Sequence, residues 1–80
     1  MTATWDDALG QALDLVRALR EAGDGAGAAS LLTALTAGCS APELALALRE
    51  AALDLPEPLS EPVRERRDAL LAGLRDVLGG

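Results

Sequence analysis

The apolar positions of this chain recur every three or four residues in four separate segments. In an α-helix each residue advances by ~100°, so this spacing gathers apolar side chains on one face. The pattern predicts helices over residues 5–22, 25–37, 41–54 and 61–78, with a proline-rich linker over 55–60. We expect them to form one helical domain spanning residues 1–80.

The first predicted helix has the clearest separation of an apolar and a charged face. Thr4 is its predicted N-cap, and Asp7 makes a weak variant of the capping box with it. The acidic and basic side chains share one arc of this amphipathic helix. The apolar arc holds Trp5, Ala8, Leu9, Ala12, Leu13, Leu15, Val16 and Leu19.

Capping residues mark the predicted boundaries in the middle of the chain. Asp24 is a plausible N-cap of the second helix, and Gly38 is a plausible residue C′ after its end. Ser40-Ala41-Pro42-Glu43 opens the third helix as an S-x-x-E capping box, with proline tolerated in the first turn. The surface of the second helix is otherwise made of small uncharged residues.

The third predicted helix carries apolar residues on two sides. Its core stripe is predicted at Leu44, Leu48, Ala51 and Leu55, whereas Leu46 and Leu53 lie ~180° away. A second apolar ridge indicates burial on both sides, in the centre of the bundle or at a subunit contact. We therefore predict an interface on the third helix that includes the small-residue surface of the second helix. Its candidate residues on the third helix are Leu46, Leu53, Arg49 and Ala45.

The fourth helix begins near Ser60, after a linker that prolines make stiff. Its first turns carry mixed charges that favour a solvated surface rather than an anion-binding patch. Its predicted apolar face holds Val63, Leu70, Leu71, Leu74, Val77 and Leu78.

The segment around the second turn resembles a helix-turn-helix over about twenty residues. Ala34, Gly38 and Leu44 have the spacing of the small residue, turn glycine and apolar residue of that motif. However, no cation lies between Arg20 and Arg49, whereas a DNA-reading helix needs polar and basic side chains in its first turns. We therefore expect the corner to serve packing or protein contact, with no nucleic-acid partner.

Composition limits the possible fold classes and cellular locations of the protein. The apolar residues are almost all Ala, Leu and Val, with Trp5 as the single aromatic residue, which favours helices over strands. Seven basic residues stand against 13 acidic ones, and the net charge of −6 works against binding to phosphate backbones or anionic membranes. The first residues lack the pattern of a signal peptide, and the uncharged run 25–42 is too polar to span a membrane. We expect a cytoplasmic protein.

The residue types for common catalytic and metal sites are missing. The chain has no His and only one Cys, which excludes an internal disulfide and a zinc site of the Cys/His kind. Cys39 has no evident base beside it, so we expect it to pack in the turn. The sequence predicts no catalytic, cofactor-binding or metal-binding residues, and it indicates that the protein is not an enzyme.

These observations predict a compact all-α protein. Two arrangements fit: a four-helix bundle, or a three-helix core with a helix-turn-helix-like corner between helices two and three, braced by the C-terminal helix. A chain of 80 residues buries a small core, and self-association is the remaining way to supplement it. We expect a non-catalytic protein–protein interaction module that forms a homodimer. The alternatives are a helix-turn-helix-like nucleic-acid-associated regulator and a small acidic neutralising partner of the immunity-protein or antitoxin type.

Overall fold

Four helices lie close to the boundaries that the sequence predicts. A computed structural model describes residues 4–37, 40–56 and 58–79. The helices are α1 (Trp5–Glu21), α2 (Gly25–Ala37), α3 (Ala41–Leu53) and α4 (Glu61–Val77). All regular secondary structure in the described residues is helical, which confirms the all-α class.

The end of each of three helices falls one residue before the predicted position. Ala22, Asp54 and Leu78 are C-caps, with helix-like backbone angles but outside the helix proper. Gly23 and Gly79 follow two of these caps with φ of 84° and 77°. This left-handed conformation favours glycine, which has no Cβ to clash, and it ends both helices.

The first helix has the most complete N-terminal cap. The Thr4 hydroxyl accepts a hydrogen bond from the Asp7 N–H at 3.2 Å, and the Asp7 carboxylate accepts one from the Thr4 N–H at 3.2 Å. The weak variant predicted from the sequence is therefore a reciprocal capping box. It satisfies two backbone donors at a helix end that would otherwise lack partners.

The caps of α2 and α3 are simpler. The Asp24 carboxylate accepts from the Gly27 N–H at 2.9 Å, which confirms Asp24 as the N-cap. At α3 the Ser40 hydroxyl accepts from the Glu43 N–H at 3.4 Å, one half of the predicted box. Gly38, the predicted C′ residue of α2, lies outside the described residues.

The helices form a closed ring in chain order. α1 has its most extensive contact with α4 and also packs on α2, α2 packs on α3, and α3 packs on α4. The radius of gyration is 11.5 Å, against about 11.6 Å expected for a compact chain of this length. Large side chains fill the centre, and those fully buried are Leu15, Leu19, Leu31, Leu48, Val63, Leu70 and Leu74.

The buried face of α3 is rotated from the predicted stripe. Leu48 is fully buried as predicted, but Ala45 and Ala52 are buried beside it. Leu44 and Ala51, which the prediction placed in the core, are only partly buried. Alanine at the contact lets helix backbones approach closely, so the smaller residues face inward.

Two leucines of the predicted apolar faces are exposed. Leu13 of α1 is 54% exposed, and Leu78, beyond the end of α4, is also exposed. The apolar arc of α1 is wider than the surface that α2 and α4 cover, so its edge stays in water. The predicted apolar faces of α1 and α4 are therefore only partly buried.

Candidate functional site

Leu46 and Leu53 of α3 lie on the side of the helix that faces away from the core. Leu46 is 47% exposed and Leu53 is 56% exposed. They are seven residues apart, so two helical turns place them on nearly one line, ~10 Å apart along the axis. We call this pair the α3 ridge. Both leucines are exposed, so no element of the described residues covers them.

The other two predicted interface residues have different positions. Arg49 is exposed, and its guanidinium makes no hydrogen bond or ion pair within the described part of the chain. Ala45 is completely buried, so its prediction as a contact residue is wrong. Ala45 directly precedes Leu46, and successive residues of an α-helix are rotated by ~100° about its axis. This rotation places Ala45 toward the core.

The outward face of α2 carries no charged side chain. The Thr36 hydroxyl donates to the Thr33 carbonyl at 3.0 Å, so this polar group is satisfied within the helix. The outward sides of α1 and α4, by contrast, carry acidic and basic residues along their lengths. A partner that covers α2 therefore does not have to desolvate an ion of that helix. The exposed residues of α2 over positions 25–36 are Gly25, Ala26, Ala29, Ser30, Thr33 and Thr36.

A groove of about 580 Å³ lies between α2 and α3. Asp24, Glu50 and Asp54 are its charged lining residues, and no basic side chain lines it within the described residues. Glu50 is next to the α3 ridge on the helix surface, so groove and ridge form one continuous surface. We call this feature the α2–α3 groove. Its small lining residues are Ala26, Gly27, Ala29, Ser30, Thr33, Ala34, Ala47 and Ala51.

A second, smaller cavity of about 220 Å³ lies between α1 and α4 and has a different character. Its charged lining residues are Asp14, Arg17, Glu21 and Arg66, two of each sign. The Arg66 guanidinium lies 4.0 Å from the Asp14 carboxylate, and both side chains are exposed. The opposite charges here balance within the chain, unlike those of the α2–α3 groove.

The described residues hold no group of three or more His, Cys, Asp or Glu side chains placed to bind a metal ion. None of the four helices, as far as the chain is described, is both long and apolar enough to cross a membrane. Cys39 lies outside the described residues, as does the turn of the predicted helix-turn-helix corner, although α2 and α3 do pack against each other.

No protein-family model, curated protein or solved structure matches this chain. The geometry brings together the α3 ridge, the uncharged face of α2 and the α2–α3 groove. The sequence predicted the first two of these features. The groove was missed, although the small residues of α2 and α3 were a signal for it.

Proposed function

We propose that this chain is a small non-catalytic protein–protein interaction module that self-associates through the outward faces of α2 and α3. The observation that carries the proposal is the exposure of Leu46 and Leu53, 47% and 56%, beside a helix face without charge. Removing apolar side chains from water drives association. The α2 face beside the ridge adds no ion that association would have to desolvate.

A second copy of the chain is the partner that the surface fits most simply. A two-fold dimer uses the same patch on both subunits, so the α3 ridge supplies both halves of an apolar contact. The small core of an 80-residue chain also gains stability when association buries further apolar surface. Self-association therefore accounts for the exposed leucines without requiring another protein.

The size of a stable interface requires α2 as well as α3. The outward side of a 13-residue helix is ~20 Å long and ~10 Å wide. A specific interface buries ~800 Å² on each partner, more than this side of α3 alone provides. The face of α2 and the α2–α3 groove are the adjoining surfaces without basic residues, so we include them in the interface.

A neutralising partner for a basic protein is the second candidate function. The net charge of −6 and the carboxylates of the α2–α3 groove favour a basic partner. This candidate predicts that the chain binds a basic protein and remains monomeric on its own. The nucleic-acid alternative gains no comparable support, because α2 has no cation and α3 has only Arg49 to meet phosphate.

Truncation of the α3 ridge tests the proposal. We expect the wild-type chain to be a dimer and the Leu46→Ala/Leu53→Ala variant to be a monomer by light scattering. Four leucines leave the dimer interface, and at about 1 kcal/mol each the dissociation constant rises about a thousandfold. Both side chains are half exposed, so the helical circular dichroism spectrum stays as in the wild type.

Leu13→Ala is the matched control, because Leu13 is 54% exposed but lies on α1. This variant should dimerise as the wild type does. An unchanged mass for the Leu46→Ala/Leu53→Ala variant, or an equal loss in Leu13→Ala, would overturn the assignment of the interface to α3.

A further inference from the structure

We propose that the two copies pair with their α3 helices parallel, related by a two-fold axis along the helices. In this arrangement Arg49 of each copy enters the α2–α3 groove of the other, beside the partner's Glu50 and the partner's Asp54. The inference rests on the proposed self-association. It adds the orientation of the subunits and the residues that determine it.

The charges of α3 lie on opposite flanks of the α3 ridge. By helical geometry Arg49 lies ~50° to one side of the line through Leu46 and Leu53, and Glu50 lies ~50° to the other. Asp54 lies further around on the same side as Glu50, and both line the α2–α3 groove. One flank of the ridge is therefore basic and the other, which opens into the groove, is acidic.

Symmetry decides which flanks meet. When a two-fold axis runs along two parallel helices, the basic flank of each faces the acidic flank of the other. When the axis is perpendicular to them, the helices are antiparallel and each flank meets itself, placing Arg49 against the partner's Arg49. Like charges opposed across an interface disfavour that pairing, and opposite charges favour the parallel one.

The groups needed for this contact are free within the described part of the chain. Arg49, Glu50 and Asp54 make no ion pair or side-chain hydrogen bond there. Asp24, the third carboxylate of the groove, already accepts from the Gly27 N–H. Glu50 and Asp54 are thus the acceptors left for a cation, and the groove supplies none of its own among its described lining residues.

The shape of the groove suits an arginine side chain. Its alanine walls leave about 580 Å³ of open space beside the acidic residues. The aliphatic stem of arginine packs on apolar surface while its planar guanidinium reaches carboxylates with paired hydrogen bonds. Arg49 of the partner subunit therefore meets both an apolar wall and two acceptors.

Charge reversal tests the orientation. Arg49→Glu and Glu50→Arg each turn two attractive pairs into repulsive ones, so each should raise the dissociation constant roughly tenfold or more. The double variant Arg49→Glu/Glu50→Arg restores the attraction between positions 49 and 50 and should recover part of the affinity, because Asp54 of the partner subunit still opposes the new glutamate. Sedimentation equilibrium gives the constants, and circular dichroism checks that each variant is folded. Arg17→Glu on α1 changes the net charge by the same amount as Arg49→Glu does. It should leave the affinity near that of the wild type.

The outcomes separate this inference from the proposed function. If single reversals bind as the wild type does while the Leu46→Ala/Leu53→Ala variant is monomeric, self-association stands and the parallel pairing is wrong. Weakened single variants without recovery in the double variant also overturn the pairing, because the two charges then do not act on each other. A wild-type chain that is monomeric at every concentration overturns both proposals.

Discussion

α1 and α4 are each 17 residues long and have the most extensive helix–helix contact, whereas α2 and α3 are each 13 residues long and leave a groove between them. The long pair carries charges of both signs on its outward side, and some of them balance locally, as Arg66 and Asp14 do. The short pair exposes the α3 ridge and an uncharged helix face. This difference is the reason that we assign the proposed self-association to the short pair.

Gly73 of α4 leaves room for a side chain of α1. A Cβ at Gly73 would collide with the side-chain amide oxygen of Gln11. That oxygen is buried and has no hydrogen-bond partner in the described structure. The Gln11 amide occupies the space beside Gly73, and a buried acceptor without a partner costs folding free energy.

Truncating one leucine in each pair should give the largest contrast. Leu70 of α4 is fully buried, so Leu70→Ala should lower the free energy of unfolding by about 2–5 kcal/mol. Leu53→Ala should cost less than about 0.5 kcal/mol when the protein is dilute enough to be monomeric, because Leu53 is mostly in water. Urea unfolding followed by the fluorescence of Trp5, which packs against the core, measures both. Equal losses would mean that Leu53 is part of the core.

Two glycine-to-alanine changes should have smaller effects of opposite sign. Nothing lies within 4 Å of a Cβ at Gly10 of α1, so Gly10→Ala should stabilise the protein by about 0.5–1 kcal/mol through helix propensity. A Cβ at Gly27 of α2 would lie 2.6 Å from Asp24 Oδ2 and 3.0 Å from Leu55 Cδ2. Gly27→Ala should therefore destabilise by about 1 kcal/mol as the N-cap shifts. Urea midpoints that move in the same direction would contradict this account.

The helices and their caps could be predicted because their determinants are local. Thr4, Asp24 and Ser40 act on backbone groups three residues away, and the 3.6-residue period is visible in any segment of that length. These features fixed the helix bounds to within one residue. They do not depend on which other helix lies alongside.

The rotation of α3 and the groove could not be predicted in the same way. Apolar residues surround much of α3, so periodicity alone does not decide whether Leu44 or Ala45 faces the core. That choice depends on how closely α2 and α4 approach α3, and alanine faces the core at these contacts. Leu13 lies at the edge of a broad apolar arc, where periodicity alone does not decide burial either. A groove between two helices exists only after packing and has no periodic signal of its own.

The most direct test of the account is a dilution series of the isotope-labelled chain followed by backbone amide NMR shifts. We expect concentration-dependent shifts at exposed positions of α2 and α3, above all near Leu46, Arg49 and Leu53, with the outward sides of α1 and α4 unchanged. Shifts that concentrate on α1 and α4, or spectra that stay the same from millimolar to micromolar concentration, would contradict the assignment of self-association to the short helix pair.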